Sequence, residues 1–401
     1  MKTSRIDEYI RRQENITQVT RQELERIQLD KLNAVLEREK LRGGFYAGLP
    51  GRLDSLGELA KLPFTTDEEL AHNAARLLLV SQADIRRVLS DATSGTTGTA
   101  KRVFYTEGDC RSTVELFMAG LGELVHEGSV TMICMPFSGP FGLGELIAEA
   151  IEGLGARPLK TGVSKSYGEL RDILERERPD TFVGMPVQLL SMLRYCGRGS
   201  LRRALVSGDA CPASVTAECE RLLGTRLFPH YGSREMGLGG AVCCEAHEGM
   251  HLRENHVIAE ITDAEGRVLP AGEFGELVIT TVGMEAMPLI RYRTGDRARI
   301  LPGRCPCGSE VLRLDSLSRL AGAKMQELDD ALFSLGGLVD FSAVECGGEL
   351  RISALGTADI AGELKKRAEQ LFPELSVAVS LRAARDTDKA LYSGKRIIKT
   401  C

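Results

Sequence analysis

A chain of 401 residues that is 43% hydrophobic and 27% charged has the composition of a folded protein, which excludes a disordered or collagen-like chain. Its 51 basic residues against 56 acidic ones leave a net charge of −5, so charge makes no case for a nucleic-acid partner. No apolar run approaches the roughly 18 residues of a membrane span, and the start MKTSRIDEYIRRQENITQ is charged and lacks the apolar stretch of a signal peptide. A cytoplasmic protein with no membrane partner is expected. At about 150 residues per domain the length suggests two or three domains.

In chain order, residues 5–41 read as one or two amphipathic helices rich in Arg, Glu and Leu. In LPFTTDEEL (Leu62–Leu70), Thr65 or Thr66 is placed to cap a helix whose first turn is acidic. The segment DATSGTTGTAKR (Asp91–Arg102) follows a possible strand and precedes a helical stretch. From about 90 to 240, short apolar runs alternate with helical patterns such as GELIAEAIEGLGA and SYGELRDILERERP. The runs are Val130–Phe137, Thr181–Pro186, Arg203–Gly208 and Arg226–Gly232. Strands alternating with helices predict an α/β fold with a mostly parallel sheet whose faces are covered. From 250 to 300, HVIAEITDAEGRVLPAGEFGELVITTV reads as β-strands joined by glycine-containing turns, a β-rich subdomain. After LPGRCPCGSE (Leu301–Glu310) comes a mixed α+β tail of about 90 residues. A boundary near 310–320 divides the chain into residues 1–312 and a small C-terminal domain, 313–401.

The eleven cysteines are odd in number and the chain is not small, so a secreted disulfide scaffold is not expected. Cys110, Cys134, Cys196, Cys219, Cys346 and Cys401 stand alone and read as small, soft core or surface residues. Cys243, Cys244, Cys305 and Cys307 instead fall near four of the six histidines, which lie between His230 and His256.

The sharpest local feature is SGTTGTAKR. Small residues with hydroxyls let a backbone approach a polyphosphate and donate N–H and O–H bonds to it, with Lys101 or Arg102 adding positive charge. The spacing is not that of a Walker A loop. By composition alone the segment is equally a surface loop of small residues. It resembles, however, the phosphate loop of the adenylate-forming superfamily: acyl-CoA synthetases, luciferases and peptide-synthetase adenylation domains. Two further segments follow in that superfamily's order. YGSRE (Tyr231–Glu235) resembles its Y-G-x-[ST]-E motif, and RYRTGD (Arg291–Asp296) its Y-R-T-G-D motif. ELAKLPFTT, MHLRENHVIAEI and VLPAGEFGELVITTVGMEAMPLIRYRTGD resemble the phenylacetate–CoA ligase family, over roughly residues 25 to 312.

The resemblance implies a large N-terminal adenylate-forming domain and a two-step ligase reaction. A carboxylic acid attacks the α-phosphate of ATP to give an acyl-adenylate and pyrophosphate, and the thiol of coenzyme A then displaces AMP. It implies that Ser94, Gly95, Thr96, Thr97, Gly98 and Lys101 hold the phosphates. Glu235 would help hold Mg²⁺, a hard cation that prefers oxygen ligands. Asp296 would accept hydrogen bonds from the ribose hydroxyls. Ser207, Gly208 and Asp209 of SGDA lie where relatives contact adenine. Tyr231 would pack on the base, with Gly232 and Ser233 beside it. For the acid, MPFSGPFGLG (Met135–Gly144) aligns with an aromatic-bearing segment, Phe141 being the matching aromatic and Phe137 its neighbour. Met185, Pro186, Met236 and Gly237 are further wall candidates. An apolar pocket with few polar groups suits an aryl or other apolar acid, although Phe137 and Phe141 read equally as core residues.

Two readings compete at the Cys/His crowd. His247-Glu248-Gly249-Met250-His251 spells H-E-x-x-H, the zinc-protease signature, which requires one helix carrying both histidines on one face. Gly249 weakens a helix by about 1 kcal/mol and the chain soon turns β-like, which disfavours that reading. The other is a structural zinc held by Cys244, His251, Cys305 and Cys307, with His247 or Cys243 able to replace one member. The resemblance agrees, since some relatives carry C-x6-H together with C-x-C-G at these places.

The tail departs from the family. Arg319 matches the hinge arginine, but in LDSLSRLAGAKMQELDDALF (Leu314–Phe333) the paired aspartate and the R-G-x-N run are missing. YSGKRIIKTC resembles the terminal S-x-G-K segment, which would make Lys395 the lysine that stabilises charge on the α-phosphate. The expectation is an AMP-forming acid–CoA ligase, with a homodimer as the assembly suggested by relatives. The alternatives are an adenylating enzyme that serves a protein or carrier thiol, and a nucleotide-binding protein without catalysis.

Overall fold

The computed structural model describes residues 4–90, 101–320, 322–392 and 394–401. The chain forms two compact units, one of Met1–Glu123 with His230–Leu320 and the other of Leu124–Pro229 with Ala321–Cys401.

The first unit opens with the helices Arg5–Glu14 and Arg21–Arg42. Ser4 caps the first, its Oγ accepting from the Asp7 amide at 3.2 Å, and Thr20 caps the second in the same way. Ile6, Tyr9 and Ile10 recur at helical spacing and bury their stripe with Leu24, Leu116, Ala119, Val242 and Val311. Thr66 caps the helix Asp67–Asn73 through a reciprocal pair with Glu69. Thr65 serves a different purpose, its buried hydroxyl donating to the Ile290 carbonyl at 2.7 Å. The segment Asp91–Arg102 does not lead directly into a helix. It connects the antiparallel strands Ile85–Ser90 and Arg102–Thr106, and the helix starts only at Glu107.

The β texture expected from 250 to 300 is an antiparallel sheet. Its order is Val257–Thr262, Gly275–Thr281, Tyr292–Ile300, Arg313–Arg319, Met250–Leu252, Ala241–Cys243 and the end of Phe228–Tyr231. His230 lies in that last strand, with Phe117 edge-on at 5.4 Å. Burial pushes its pKa down to about 4. A histidine whose folded pKa lies below its unfolded value near 6.5 contributes stability that is full above pH 6.5 and is lost as pH falls toward 4. The expected loss is about 3 kcal/mol. Denaturant titrations across that window, compared with His230→Gln, should show the slope in the parent and a flatter one in the variant.

The second unit holds the predicted parallel sheet. Arg157–Lys160, Val130–Cys134, Thr181–Gly184, Arg203–Val206 and the start of Phe228–Tyr231 are hydrogen-bonded in that order, all parallel. Thr181–Gly184 is buried along its whole length, as a central parallel strand must be. The helices Leu143–Gly153, Tyr167–Glu177, Pro186–Cys196 and Ala213–Leu223 alternate with these strands. The tail adds the antiparallel pair Leu338–Cys346 and Glu349–Gly356, the parallel strand Ser376–Ala383, and the helices Ala323–Phe333 and Ala361–Leu371. It shares one apolar core with the parallel sheet, where Phe182, Leu189 and Leu201 meet Phe333, Phe341 and Leu350. Arg194 ties the two parts by donating to the carbonyls of Phe333 at 2.7 Å and Leu338 at 2.6 Å.

One sequence expectation is corrected here. Cys346 and Cys401 do not stand alone but form a disulfide, 55 residues apart in sequence. The short strand Lys399–Thr400 pairs with Val344 and Glu345 and brings the two sulfurs together. Among the described residues, no helix is long and apolar enough to cross a membrane.

Candidate functional site

Three motifs that lie far apart in sequence meet in the first unit. Lys101 ends the small-residue segment, whose Ser94, Gly95, Thr96, Thr97 and Gly98 lie outside the described residues. Its Nζ is 2.6 Å from Glu235 Oε1 of YGSRE and 3.0 Å from the Tyr292 hydroxyl of RYRTGD. It also pairs with Asp67 at 3.1 Å, in the acidic first turn that Thr66 caps. Burial opposes the charge on Lys101, but Glu235 and Asp67 outweigh it and raise its pKa. Burial likewise opposes ionisation of Glu235, which is 5% exposed, and Lys101 reverses that and lowers its pKa. The pair is therefore ionic.

Beside it the Tyr231 hydroxyl donates to Asp296 Oδ2 at 2.7 Å, and Arg319 stands 3.7 Å from the other oxygen of Asp296. The sheet register explains this, since Asp296 and Arg319 are cross-strand partners. Gly295, at φ 69°, turns the strand there, and Thr294 anchors it by donating to the Leu277 carbonyl at 2.7 Å. Arg291 of the same motif is structural. It is 2% exposed, lies 3.0 Å from Glu260 and donates to the carbonyls of Ala60 and Leu62.

Gly232 is needed for close approach. A Cβ there would sit 2.1 Å from the Leu238 carbonyl oxygen, and the turn Ser233–Leu238 closes through the Leu238 amide on the Ser233 carbonyl. Gly232→Ala is expected to cost about 1–3 kcal/mol, as overpacking against backbone does, read as a lower midpoint in chemical denaturation. Met236 is buried against Gly240, and the Gly237 carbonyl accepts from Thr113 at 2.6 Å.

The Cys/His set forms one cluster. The ligand atoms of Cys244, His251, Cys305 and Cys307 all lie within 4.8 Å of one another. Cys244 and Cys305 sulfurs are 3.7 Å apart, and Cys307 Sγ is 3.5 Å from His251 Nε2. Two thiolates about 2.3 Å from one tetrahedral zinc stand about 3.8 Å apart, so the spacing fits a shared ion. A hydrogen bond from Cys244 pulls the Cys307 thiol well below the usual thiol range, while the Cys244 thiol is pushed up. Cys243 and His247 face each other at 3.8 Å as a separate pair. The H-E-x-x-H segment is not a helix. His247 and Gly249 have φ of 52° and 76°, and Met250–Leu252 is a strand.

The remaining residues lie in the second unit. The Ser207 amide donates to the Gly184 carbonyl at 3.0 Å. Gly208 turns at φ 88°, beside Met185 and Met135. Asp209 accepts from the Arg396 amide at 2.8 Å. Phe141 holds φ 62°, an uncommon conformation for a bulky residue. The Phe137 ring packs over Gly144, with the Lys160 ammonium 5.9 Å from its centre. Pro186 begins the helix after Gly184. Lys395 is exposed. Sequence reasoning did not assign Asp67 or Tyr292. Tyr292 stood inside a quoted motif, but Asp67 read only as a helix-start acid.

Residues 92–286 match the AMP-binding enzyme family. The chain is 32% identical over 273 residues to a phenylacetate–coenzyme A ligase of Pseudomonas putida, covering 63% of this chain and 60% of that protein. It is 30% identical over 286 residues to the phenylacetate–coenzyme A ligase of Escherichia coli strain K12, covering 67% and 63%. The matched region thus spans about 60% of the length of such relatives. Among solved structures, a 2-hydroxyisobutyryl-CoA ligase in the postadenylation state aligns with TM-score 0.76 at 18% identity, over 94% of this chain and 89% of that one. A benzoate CoA ligase from Burkholderia xenovorans LB400 aligns with TM-score 0.52 at 18% identity, over 78% and 68%. These last two carry the fold, and the curated relatives, with the three motifs meeting in one unit, carry the assignment: the chain belongs to the phenylacetate–CoA ligase family of the adenylate-forming, AMP-binding superfamily.

Proposed function

We propose that this chain joins a carboxylic acid to coenzyme A at the cost of ATP, through an acyl-adenylate. The observation that supports it best is the meeting of Lys101 with Glu235 and Tyr292, and of Tyr231 with Asp296. A buried cation beside a buried carboxylate suits phosphates together with Mg²⁺, and Asp296 offers a carboxylate to the ribose hydroxyls. In the first half-reaction a carboxylate oxygen attacks the α-phosphate and pyrophosphate leaves. Lys101, next to the phosphate loop, and Lys395, in the terminal segment, oppose the negative charge that builds up. In the second half-reaction a thiol attacks the acyl carbon and AMP leaves.

Ser207, Gly208 and Asp209 are proposed to face adenine, with Arg319 holding Asp296. The acid is proposed to be aryl or similarly apolar. Phe137, Phe141, Met185 and Pro186 are the proposed apolar surface for it. The Cys244, His251, Cys305 and Cys307 set is proposed to hold a structural zinc, which when bound cross-links the Cys305–Cys307 turn to the sheet. The altered segment Leu314–Phe333 favours a second reading, in which a carrier thiol replaces coenzyme A.

Pyrophosphate release is the test, measured with ATP, Mg²⁺ and a panel of aryl and short aliphatic acids, each with and without coenzyme A. Acid-dependent release with an acyl-CoA product supports the ligase. Acid-dependent release without that product supports the carrier reading. No release with any acid counts against both.

A further inference from the structure

We propose that Arg396 is a positioning residue that latches the lysine-bearing terminal segment onto the SGDA loop, so that Lys395 is presented where the adenylate forms. The part of the proposal that concerns turnover rests on the ligase reading above. The latch itself rests on geometry within one unit.

Neighbouring basic residues here have opposite surroundings. Lys395 is exposed, whereas the Arg396 side chain is 5% exposed. Its Nε lies 3.0 Å from each oxygen of Asp329, on the helix Ala323–Phe333. Its other nitrogens reach Asp340 at 3.1 Å and the Phe341 carbonyl at 3.0 Å, on the strand Leu338–Cys346. The guanidinium plane also lies 4.6 Å from the ring centre of Tyr392 and 4.7 Å from that of Phe341. Arginine's fixed fork makes such a multidentate anchor, and a lysine ammonium does not reproduce it.

The same residue touches the proposed adenine loop through its backbone, the Arg396 amide donating to Asp209 Oδ2 at 2.8 Å. Asp340 uses its second oxygen to accept from the Leu391 amide at 2.7 Å, and the Tyr392 hydroxyl donates to the Ile397 carbonyl at 2.8 Å. The segment is thereby closed around the guanidinium. Three carboxylates, Asp209, Asp329 and Asp340, surround one cation, and burial raises the pKa of each. The guanidinium is the buried cation that Asp329 and Asp340 share, and without it the contacts that seat residues 389–392 and 394–398 are weakened together. The far end of the segment is held separately, by the pairing of Lys399 with Val344 and by the Cys346–Cys401 disulfide. The latch therefore governs the stretch that carries Lys395 rather than the tail as a whole.

Amide hydrogen exchange on the full chain without ligands tests the latch, with Arg396→Lys and Arg396→Gln as variants and the strand Arg203–Val206 as the internal reference. Amides in 389–392 and 394–398 should exchange about tenfold faster or more in both Arg396 variants, with that strand unchanged. In turnover, both Arg396 variants should lower kcat for acyl-adenylate formation about tenfold with KM for the acid within about twofold. Thioester formation from supplied acyl-adenylate should change less. Parent-like exchange in the Arg396 variants overturns the latch. Faster exchange with undiminished adenylation overturns the positioning role. If the Arg396 variants unfold globally, Asp209→Ala removes the acceptor of the Arg396 amide and leaves the guanidinium's own partners in place. It should raise exchange at Arg396 within an intact fold, and parent-like exchange there overturns the proposal. A parent chain silent with every acid refutes the ligase reading, while the exchange result still decides the latch.

Discussion

Replacing Glu235 by glutamine is expected to lower acid-dependent pyrophosphate release by about two to three orders of magnitude while the chain stays folded. Removing one preorganised electrostatic group from a water-poor site typically costs that much. Glu235 is 5% exposed and 2.6 Å from Lys101, so its negative charge is concentrated beside that ammonium. Glutamine keeps the volume and an acceptor oxygen but not the charge that attracts Mg²⁺. The fold should tolerate the change because Lys101 keeps Asp67 at 3.1 Å and the Tyr292 hydroxyl at 3.0 Å. Breaking a buried pair outright costs about 3–5 kcal/mol, and the retained partners should hold the loss to the low end or below. Steady-state release at saturating Mg²⁺, measured together with Tm, separates the two effects. Activity near the parent's would contradict the assigned role. A collapse of Tm alongside lost activity would make Glu235 a structural residue instead.

The second large effect concerns the Cys/His cluster. The chain purified without added metal is expected to carry one zinc, and Cys305→Ser to lose it along with much of the stability of the first unit. Structural zinc sites contribute folding energy directly. A loss of about 5 kcal/mol at roughly 2–4 °C per kcal/mol corresponds to a fall in Tm of about 10 °C or more. Cys243→Ser is the informative contrast. Cys243 pairs with His247 at 3.8 Å and stands outside the four-atom set, so that variant should retain zinc and keep Tm within a few degrees. Elemental analysis with thermal unfolding reads both. A parent chain without zinc, or zinc lost from Cys243→Ser but kept by Cys305→Ser, would contradict the assignment.

What the sequence made legible depended on whether the cause was local. The Thr66 cap, the alternation of strand and helix through Arg226–Gly232 and the β texture of 250–300 follow from short-range periodicity and hydrogen-bonding side chains, and they stand. That Cys244, His251, Cys305 and Cys307 come together was legible too, because cysteine and histidine are rare enough for their spacing to be informative. Long-range pairings were not legible. Nothing near Cys346 marks Cys401 as its partner, since only the pairing of Lys399–Thr400 with the strand Leu338–Cys346 brings them together. Asp67 gave the local signal of a helix start and hid its second role beside Lys101. The H-E-x-x-H string shows the converse, a motif match overruled by backbone geometry at Gly249. The Asp91–Arg102 segment was singled out by its resemblance to a motif, but its place between two antiparallel strands depends on register that a local motif does not encode.

The central claim is that a carboxylate oxygen of the acid attacks the α-phosphate of ATP. It is tested most directly by supplying the accepted acid with oxygen-18 in its carboxylate, together with ATP, Mg²⁺ and coenzyme A, and weighing the AMP released. In the proposed sequence the bond between the acyl carbon and the bridging oxygen breaks in the second half-reaction, so that oxygen leaves with the nucleotide. The account predicts AMP carrying one labelled oxygen, formed in step with the acyl-CoA. Unlabelled AMP, or ADP as the nucleotide product, would contradict it.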